Sequence, residues 1–142
     1  LNHLLRQKLS ITSRKPQTTR HVLLGVDTEG AYQAIYVDTP GIHEHARRQL
    51  NRQMVRAATA VLGDVDLVLM ITERDAWTEE DELVLGHLRK VGTPCLAVIN
   101  KIDQLRRKDV LLPVIERLAG YARFNEIFPV SALKDEGLDR LR

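Results

Sequence analysis

The sequence predicts an α/β fold, a mostly parallel sheet with one antiparallel hairpin at its edge. Three observations predict it. Val65–Thr72 and Pro94–Ile99 are continuous apolar runs without alternation, as in strands buried on both faces of a parallel sheet. Segments with helical spacing lie between such runs, and strands that alternate with helices are joined in parallel. Earlier, two strand-like segments, Val22–Asp27 and Tyr32–Val37, are joined across Thr28-Glu29-Gly30. So short a connection makes a hairpin.

The elements follow in order. Leu1, Leu4 and Leu5 have helical spacing and read as the later turns of a helix. Ser10–His21 is polar and basic and reads as an exposed loop, with Pro16 discouraging helix at Lys15. The stretch from Ala34 to Gly41 is a strand that ends in an acid, a hydroxyl, a proline and a glycine. A helix is expected from about Arg47 to Leu62, closed by Gly63. On it Leu50, Met54, Ala57 and Val61 share one face, and Arg48, Arg52 and Arg56 lie roughly opposite. That arginine stripe reads as a solvated face, with RNA or partner contact as the alternative. Thr78 with Asp81 resembles a capping box and opens a helix to Val91. Pro113 suits the first turn of a helix reaching about Tyr121. Ile127–Val130 is a last short strand, followed by Ser131-Ala132-Leu133, Gly137 and a helix-like Leu138–Leu141.

With 142 residues, 44% of them hydrophobic and 28% charged, the chain has the size and composition of one globular domain with a real core. A net charge of +2 demands neither a nucleic acid nor a membrane as partner. The single cysteine, Cys95, excludes an internal disulfide and suits a reducing compartment. It sits in an apolar run and reads as a buried, inert thiol. No apolar run is long enough to span a bilayer, and no signal peptide, repeat or low-complexity tract is visible.

Three strands end in polar clusters, at Asp38, Asn100 and Ser131, along one carboxyl edge of the predicted sheet. Open α/β sheets bind ligands at that edge. Asn100-Lys101-Ile102-Asp103 offers an amide, a cation and a carboxylate beyond a strand end. Guanine carries two donors on one edge, N1–H and the N2 amine, and a carboxylate such as Asp103 accepts both. Adenine has no such pair. Asn100 can bond the base edge or tie neighbouring loops together, and the stem of Lys101 can cover the flat face of the base. The alternative is a turn with a helix cap and a surface ion pair. Asp38-Thr39-Pro40-Gly41 suits a phosphate end: Asp38 can hold Mg²⁺ through a bound water, and the Gly41 N–H can donate to a terminal phosphate oxygen. Thr18 and Thr19 can put a hydroxyl on the metal. Ser131-Ala132-Leu133 can offer a backbone N–H to the base oxygen.

The order Thr-Thr-Arg (18–20), Asp-Thr-Pro-Gly (38–41), Asn-Lys-Ile-Asp (100–103) and Ser-Ala-Leu (131–133) resembles the second to fifth nucleotide-binding motifs of translation-factor-type GTPases. Within that group, Ser10–His21 and Thr28–Gly41 are very similar to the Era family, over essentially the whole chain. The resemblance implies a P-loop NTPase-type sheet with helices on both faces, and a GTPase domain over residues 1–142. It implies a first switch over Gln17, Thr18, Thr19, Arg20 and His21, with Thr19, or less favourably Thr18, as a direct Mg²⁺ ligand. The second switch would run from Asp38 through Thr39, Pro40, Gly41 and Ile42. Asn100, Lys101, Ile102 and Asp103 would bind guanine, supported by Ser131, Ala132 and Leu133. The implied protein is a slow GTPase that binds GTP and GDP and helps mature the small ribosomal subunit. It contacts ribosomal RNA through a C-terminal KH domain. Its implied location is the cytoplasm, with peripheral association at the inner membrane; oligomeric state stays open.

The sequence departs from the family pattern in two ways. The GxxxxGK[ST] phosphate loop and the first strand, which lies centrally in this family's sheet, would come before Leu1, and no KH domain follows Arg142. A sheet without its middle strand would leave buried backbone groups unpaired. The expectation is therefore an internal piece of a longer chain, poor at binding GTP alone. Ile42 stands where Ras-like GTPases carry a water-positioning glutamine, so no catalytic side chain is assigned and turnover should be slow. Related GTPases use K⁺, held partly by the phosphate loop, as a second cation. His43 and His45 read as switch residues rather than ligands. The competing readings are a guanine-nucleotide sensor with negligible turnover, a nucleotide-free interaction module, and an RNA-binding module using Arg48, Arg52, Arg56 and Arg106-Arg107-Lys108.

Overall fold

The computed structural model describes residues 1–6, 8–9, 22–39, 59–74, 76–121 and 123–141. Gln17–His21, Pro40–Ile42, His43, His45 and the arginine stripe lie outside the described residues. The chain divides into two units, Leu1–Val61 and Leu62–Arg142.

In the first unit, β1 (Leu23–Glu29) and β2 (Tyr32–Asp38) form the predicted antiparallel hairpin, in register from Leu23↔Asp38 to Glu29↔Tyr32. Gly30 opens the tight turn at φ +57°, a conformation glycine adopts without strain. The segment before the hairpin makes one turn, with the Leu5 N–H donating to the Leu1 carbonyl at 3.0 Å. Leu5 is buried against Gly25, where a Cβ would lie 2.5 Å from a Leu5 methyl. The missing side chain is what lets Leu5 cover the strand. Residues 59–61 are helical and turn off before Gly63, as predicted for the end of that helix.

The second unit is built on β3 (Val68–Glu73), β4 (Cys95–Asn100) and β5 (Glu126–Pro129), all parallel, in the order β3-β4-β5. The central strand β4 buries Cys95, Ala97, Val98 and Ile99, which explains its unalternating apolar sequence. Helix α1 (Glu79–Leu88) opens with the predicted capping box: the Asp81 N–H donates to Thr78 Oγ1 at 3.2 Å, and the Thr78 N–H to Asp81 Oδ2 at 2.8 Å. Helix α2 (Leu111–Gly120) carries Pro113 in its first turn, where the missing N–H costs nothing.

Alternate residues of β4 set the core. Ala97 and Ile99 pack with Ile102 and with Leu111, Val114 and Leu118 of α2. Cys95, on the same face, packs with Met70 and with Leu88 of α1. Both described helices thus cover one face. On the other, Val98 stands in register with Phe128, whose ring lies under the Arg140 guanidinium at 5.4 Å. The strands fall into two sheets, β1-β2 and β3-β4-β5. The fold class is the one expected.

Candidate functional site

The carboxyl ends of β4 and β5 are held side by side by bonds that continue past the strands. The Val130 N–H donates to the Ile99 carbonyl at 2.8 Å, and the Ile102 N–H to the Val130 carbonyl at 3.2 Å. Buried Ile102 anchors the loop after β4. Lys101 before it takes a left-handed backbone, φ 65°, which lets the chain reverse into the single 3₁₀ turn Ile102–Gln104.

Side chains lock the two loops together. Asn100 Oδ1 accepts from its neighbour's N–H, Lys101, at 2.8 Å and from the Ala132 N–H at 3.0 Å. The fully buried Ser131 donates its hydroxyl to Asp103 Oδ1 at 2.6 Å and accepts from the Lys134 N–H at 3.1 Å. Ser131 and Glu136 exchange backbone bonds at 2.9 and 3.1 Å and close the loop between them. Gly137 then turns at φ +76°, where a Cβ would lie 2.7 Å from the Pro129 carbonyl oxygen.

The structure therefore brings together Asn100, Lys101, Ile102, Asp103, Ser131 and Ala132, with exposed Leu133 beside them. Of the two roles open to Asn100, it plays the loop tie. The Ser131 bond takes one lone pair of Asp103 Oδ1 and fixes the carboxylate's direction. Among the described residues Oδ2 accepts no hydrogen bond, so the carboxylate can receive two adjacent donors. The Ser131 and Ala132 N–H groups already have partners, so a base oxygen reaching this loop competes with Asn100 for the Ala132 N–H.

Sequence reasoning passed over Glu73. It ends β3 in register with Asn100, and its carboxylate pairs with the Lys101 ammonium. The signal available was a third parallel strand ending in a polar residue at the same edge. The pairing holds the lysine head and leaves its stem as the part that can cover a base.

Asp38 and Thr39 belong to the first unit, at and just after the end of β2, both half-buried. Asp38 is a hard oxygen donor. Mg²⁺ keeps much of its hydration and takes one or two carboxylates plus phosphate oxygens, so a strand-end aspartate fits that ion. Among the described residues no three His, Cys, Asp or Glu cluster as a metal cage.

Comparison with known proteins shows the family. A family model described as 50S ribosome-binding GTPase matches residues 1–101. GTPase Era from Marinobacter nauticus is 54% identical over 141 residues, covering 99% of this chain and 46% of the relative. GTPase Era from Ectopseudomonas mendocina is 52% identical, with 99% and 47% covered. A crystal structure of Era in complex with MgGDPNP and nucleotides 1506–1542 of 16S ribosomal RNA superposes with a TM-score of 0.89 at 36% identity, covering 99% of this chain and 48% of that one. The chain spans about half the length of the curated relatives it matches. With a parallel three-stranded sheet, an Asn-Lys-Ile-Asp loop tied to a Ser-Ala-Leu loop, and a family model covering most of its length, the chain belongs to the 50S ribosome-binding GTPase family and is similar within it to the Era proteins.

Proposed function

We propose that the intact protein binds GTP and hydrolyses it slowly, as an Era-type switch that assists maturation of the small ribosomal subunit through its ribosomal RNA. Residues 1–142 form its GTPase domain, weak at binding GTP on their own. RNA recognition falls mainly to a KH domain outside them, and the protein works in the cytoplasm, peripheral at the inner membrane. The relatives' names and the ribosomal RNA bound to the neighbouring Era structure support this reading. The observation that carries it is Asp103, a carboxylate oriented by the Ser131 hydroxyl at 2.6 Å and open on its other oxygen.

In this mechanism Asp103 accepts guanine N1–H and the N2 amine, which selects against adenine. The Ser131 hydroxyl holds it in place, Asn100 ties the two loops together, and the Lys101 stem covers the base. Asp38 and Thr19 would hold Mg²⁺, which would supply positive charge against the phosphates. The Gly41 N–H donates to the terminal phosphate. Ile42 has no group to orient the attacking water, so turnover is slow or needs K⁺. The same isoleucine favours a second reading, a guanine-nucleotide sensor with negligible turnover.

Asp103→Asn in the full-length protein exchanges an acceptor for a donor. Guanine-nucleotide affinity should fall by about tenfold or more, and xanthosine diphosphate should become the preferred ligand. Unchanged base preference would remove the assignment. GTP hydrolysis measured with and without K⁺ separates enzyme from sensor: no turnover in either condition leaves only the sensor.

A further inference from the structure

A lysine stem is a loose cover for a base unless its head is held. We propose that Glu73 is a positioning residue for guanine-nucleotide binding: its carboxylate anchors the Lys101 ammonium, so that the stem is already in place when the base arrives. The proposal rests on the guanine-site reading above and adds to it a residue from a third strand.

The backbone fixes where the two charges meet. Glu73 ends β3 in register with Asn100, the last residue of β4. The ladder runs one bond further, from the Arg74 N–H to the Asn100 carbonyl at 2.8 Å. Both chains turn at the next residue, Arg74 at φ 50° and Lys101 at φ 65°. One turn closes with the Ala76 N–H donating to the Glu73 carbonyl at 3.2 Å. The other closes with the Lys101 N–H donating to Asn100 Oδ1 at 2.8 Å. The acid and the ammonium thus extend from neighbouring strand ends held in register, although they lie 28 residues apart in sequence.

The energetics favour a role in binding over a role in stability. The two side chains are 41% and 54% exposed, and ion pairs that open to water contribute little to folding. The same exposure leaves the lysine stem open to a base. A free lysine has several rotatable bonds, and ordering it at the moment of binding weakens affinity. Pairing its head beforehand moves part of that cost from binding to folding. Asp103 follows the same logic through the Ser131 hydroxyl at 2.6 Å. Both base-facing side chains are then set in advance by a partner from a different strand end.

The test is a double-mutant cycle on the full-length protein, with GDP affinity measured by calorimetric titration. Glu73→Gln removes the charge and keeps the shape. Lys101→Met keeps an apolar stem and removes the head. Each single change should weaken GDP by about two- to fivefold, and the double variant should be no weaker than either one. The gap between parent and Glu73→Gln should narrow as choline chloride is added at fixed Mg²⁺ and K⁺, because salt screens a half-exposed pair. The assignment is overturned if Glu73→Gln leaves GDP affinity unchanged, or if the gap ignores salt. It is also overturned if Glu73→Gln weakens GDP as much in the Lys101→Met background, since the acid then acts without the lysine. Asp103→Asn separates this from the guanine reading. A base preference that does not switch toward xanthosine diphosphate sinks that reading, whereas a switch with additive Glu73 and Lys101 effects sinks the anchor alone.

Discussion

The Ser131 hydroxyl donates to Asp103 Oδ1 across 2.6 Å and joins the loop after β5 to the loop after β4. The same oxygen accepts the Lys134 N–H at 3.1 Å, so one buried hydroxyl both aims the carboxylate and pins its own loop.

Ser131→Ala should therefore cost twice. The Lys134 N–H loses its acceptor, which lowers stability by about 1–3 kcal/mol. Asp103 loses its orienting donor, and GDP affinity should drop by about tenfold. Urea unfolding and calorimetric titration of the full-length protein measure the two effects. Unchanged GDP affinity would mean that the carboxylate keeps its direction without the serine.

Asn100 can be tested by a pair of changes. Its Oδ1 accepts two backbone N–H groups, from Lys101 and Ala132. Asn100→Ala removes both acceptor contacts and should destabilise by about 1–3 kcal/mol. Asn100→Asp keeps the acceptor and should cost less. Equal losses in the two variants, measured by denaturant melts, would show that the tie is not what the residue contributes.

Two glycines differ in a measurable way. Gly30 has φ +57° and open space around it, whereas at Gly137 a Cβ would meet the Pro129 carbonyl oxygen at 2.7 Å. Gly30→Ala should cost only the left-handed strain, about 1–2 kcal/mol. Gly137→Ala adds overpacking against backbone, about 1–3 kcal/mol more. It should also disturb Ser131 and hence GDP binding. Thermal unfolding of both variants gives the comparison.

Cys95 makes a pH prediction. Burial pushes its thiol above the ordinary 9.0, although the Arg123 charge pulls the other way. The folded chain keeps the thiol proton to higher pH than the unfolded chain does. This contribution is fully present below pH 9.0 and declines as pH rises through 9.0 toward the folded value. Urea unfolding at several pH values should show a steeper alkaline loss in the parent than in Cys95→Ala. Parallel curves would contradict it.

Much of this was legible along the chain. The Thr78–Asp81 capping box lies within one turn and closes as its residue types require. The runs of β3 and β4 read as buried parallel strands because every second residue is not polar. Asn100, Asp103 and Ser131 could be nominated because each follows an apolar strand. Where prediction slipped, a distant partner decided. Helix α1 was expected to reach Val91 but ends at Leu88. There Arg123 donates to the carbonyls of Leu88, Val91 and Thr93 at 2.9, 3.2 and 2.6 Å. The strand expected from Val65 starts only at Val68, whose N–H meets the Pro94 carbonyl at 2.9 Å.

Fold class, helix cap and the residue types at the strand ends are readable along the chain, because those depend on neighbours within a turn or a strand. Packing in three dimensions makes Asn100 a loop tie, aims Asp103 with Ser131, and sets Glu73 against the Lys101 head. Each of those bonds joins groups some thirty residues apart. A hydrogen bond's partner is chosen by distance in space, which packing of the sheet sets and sequence spacing does not.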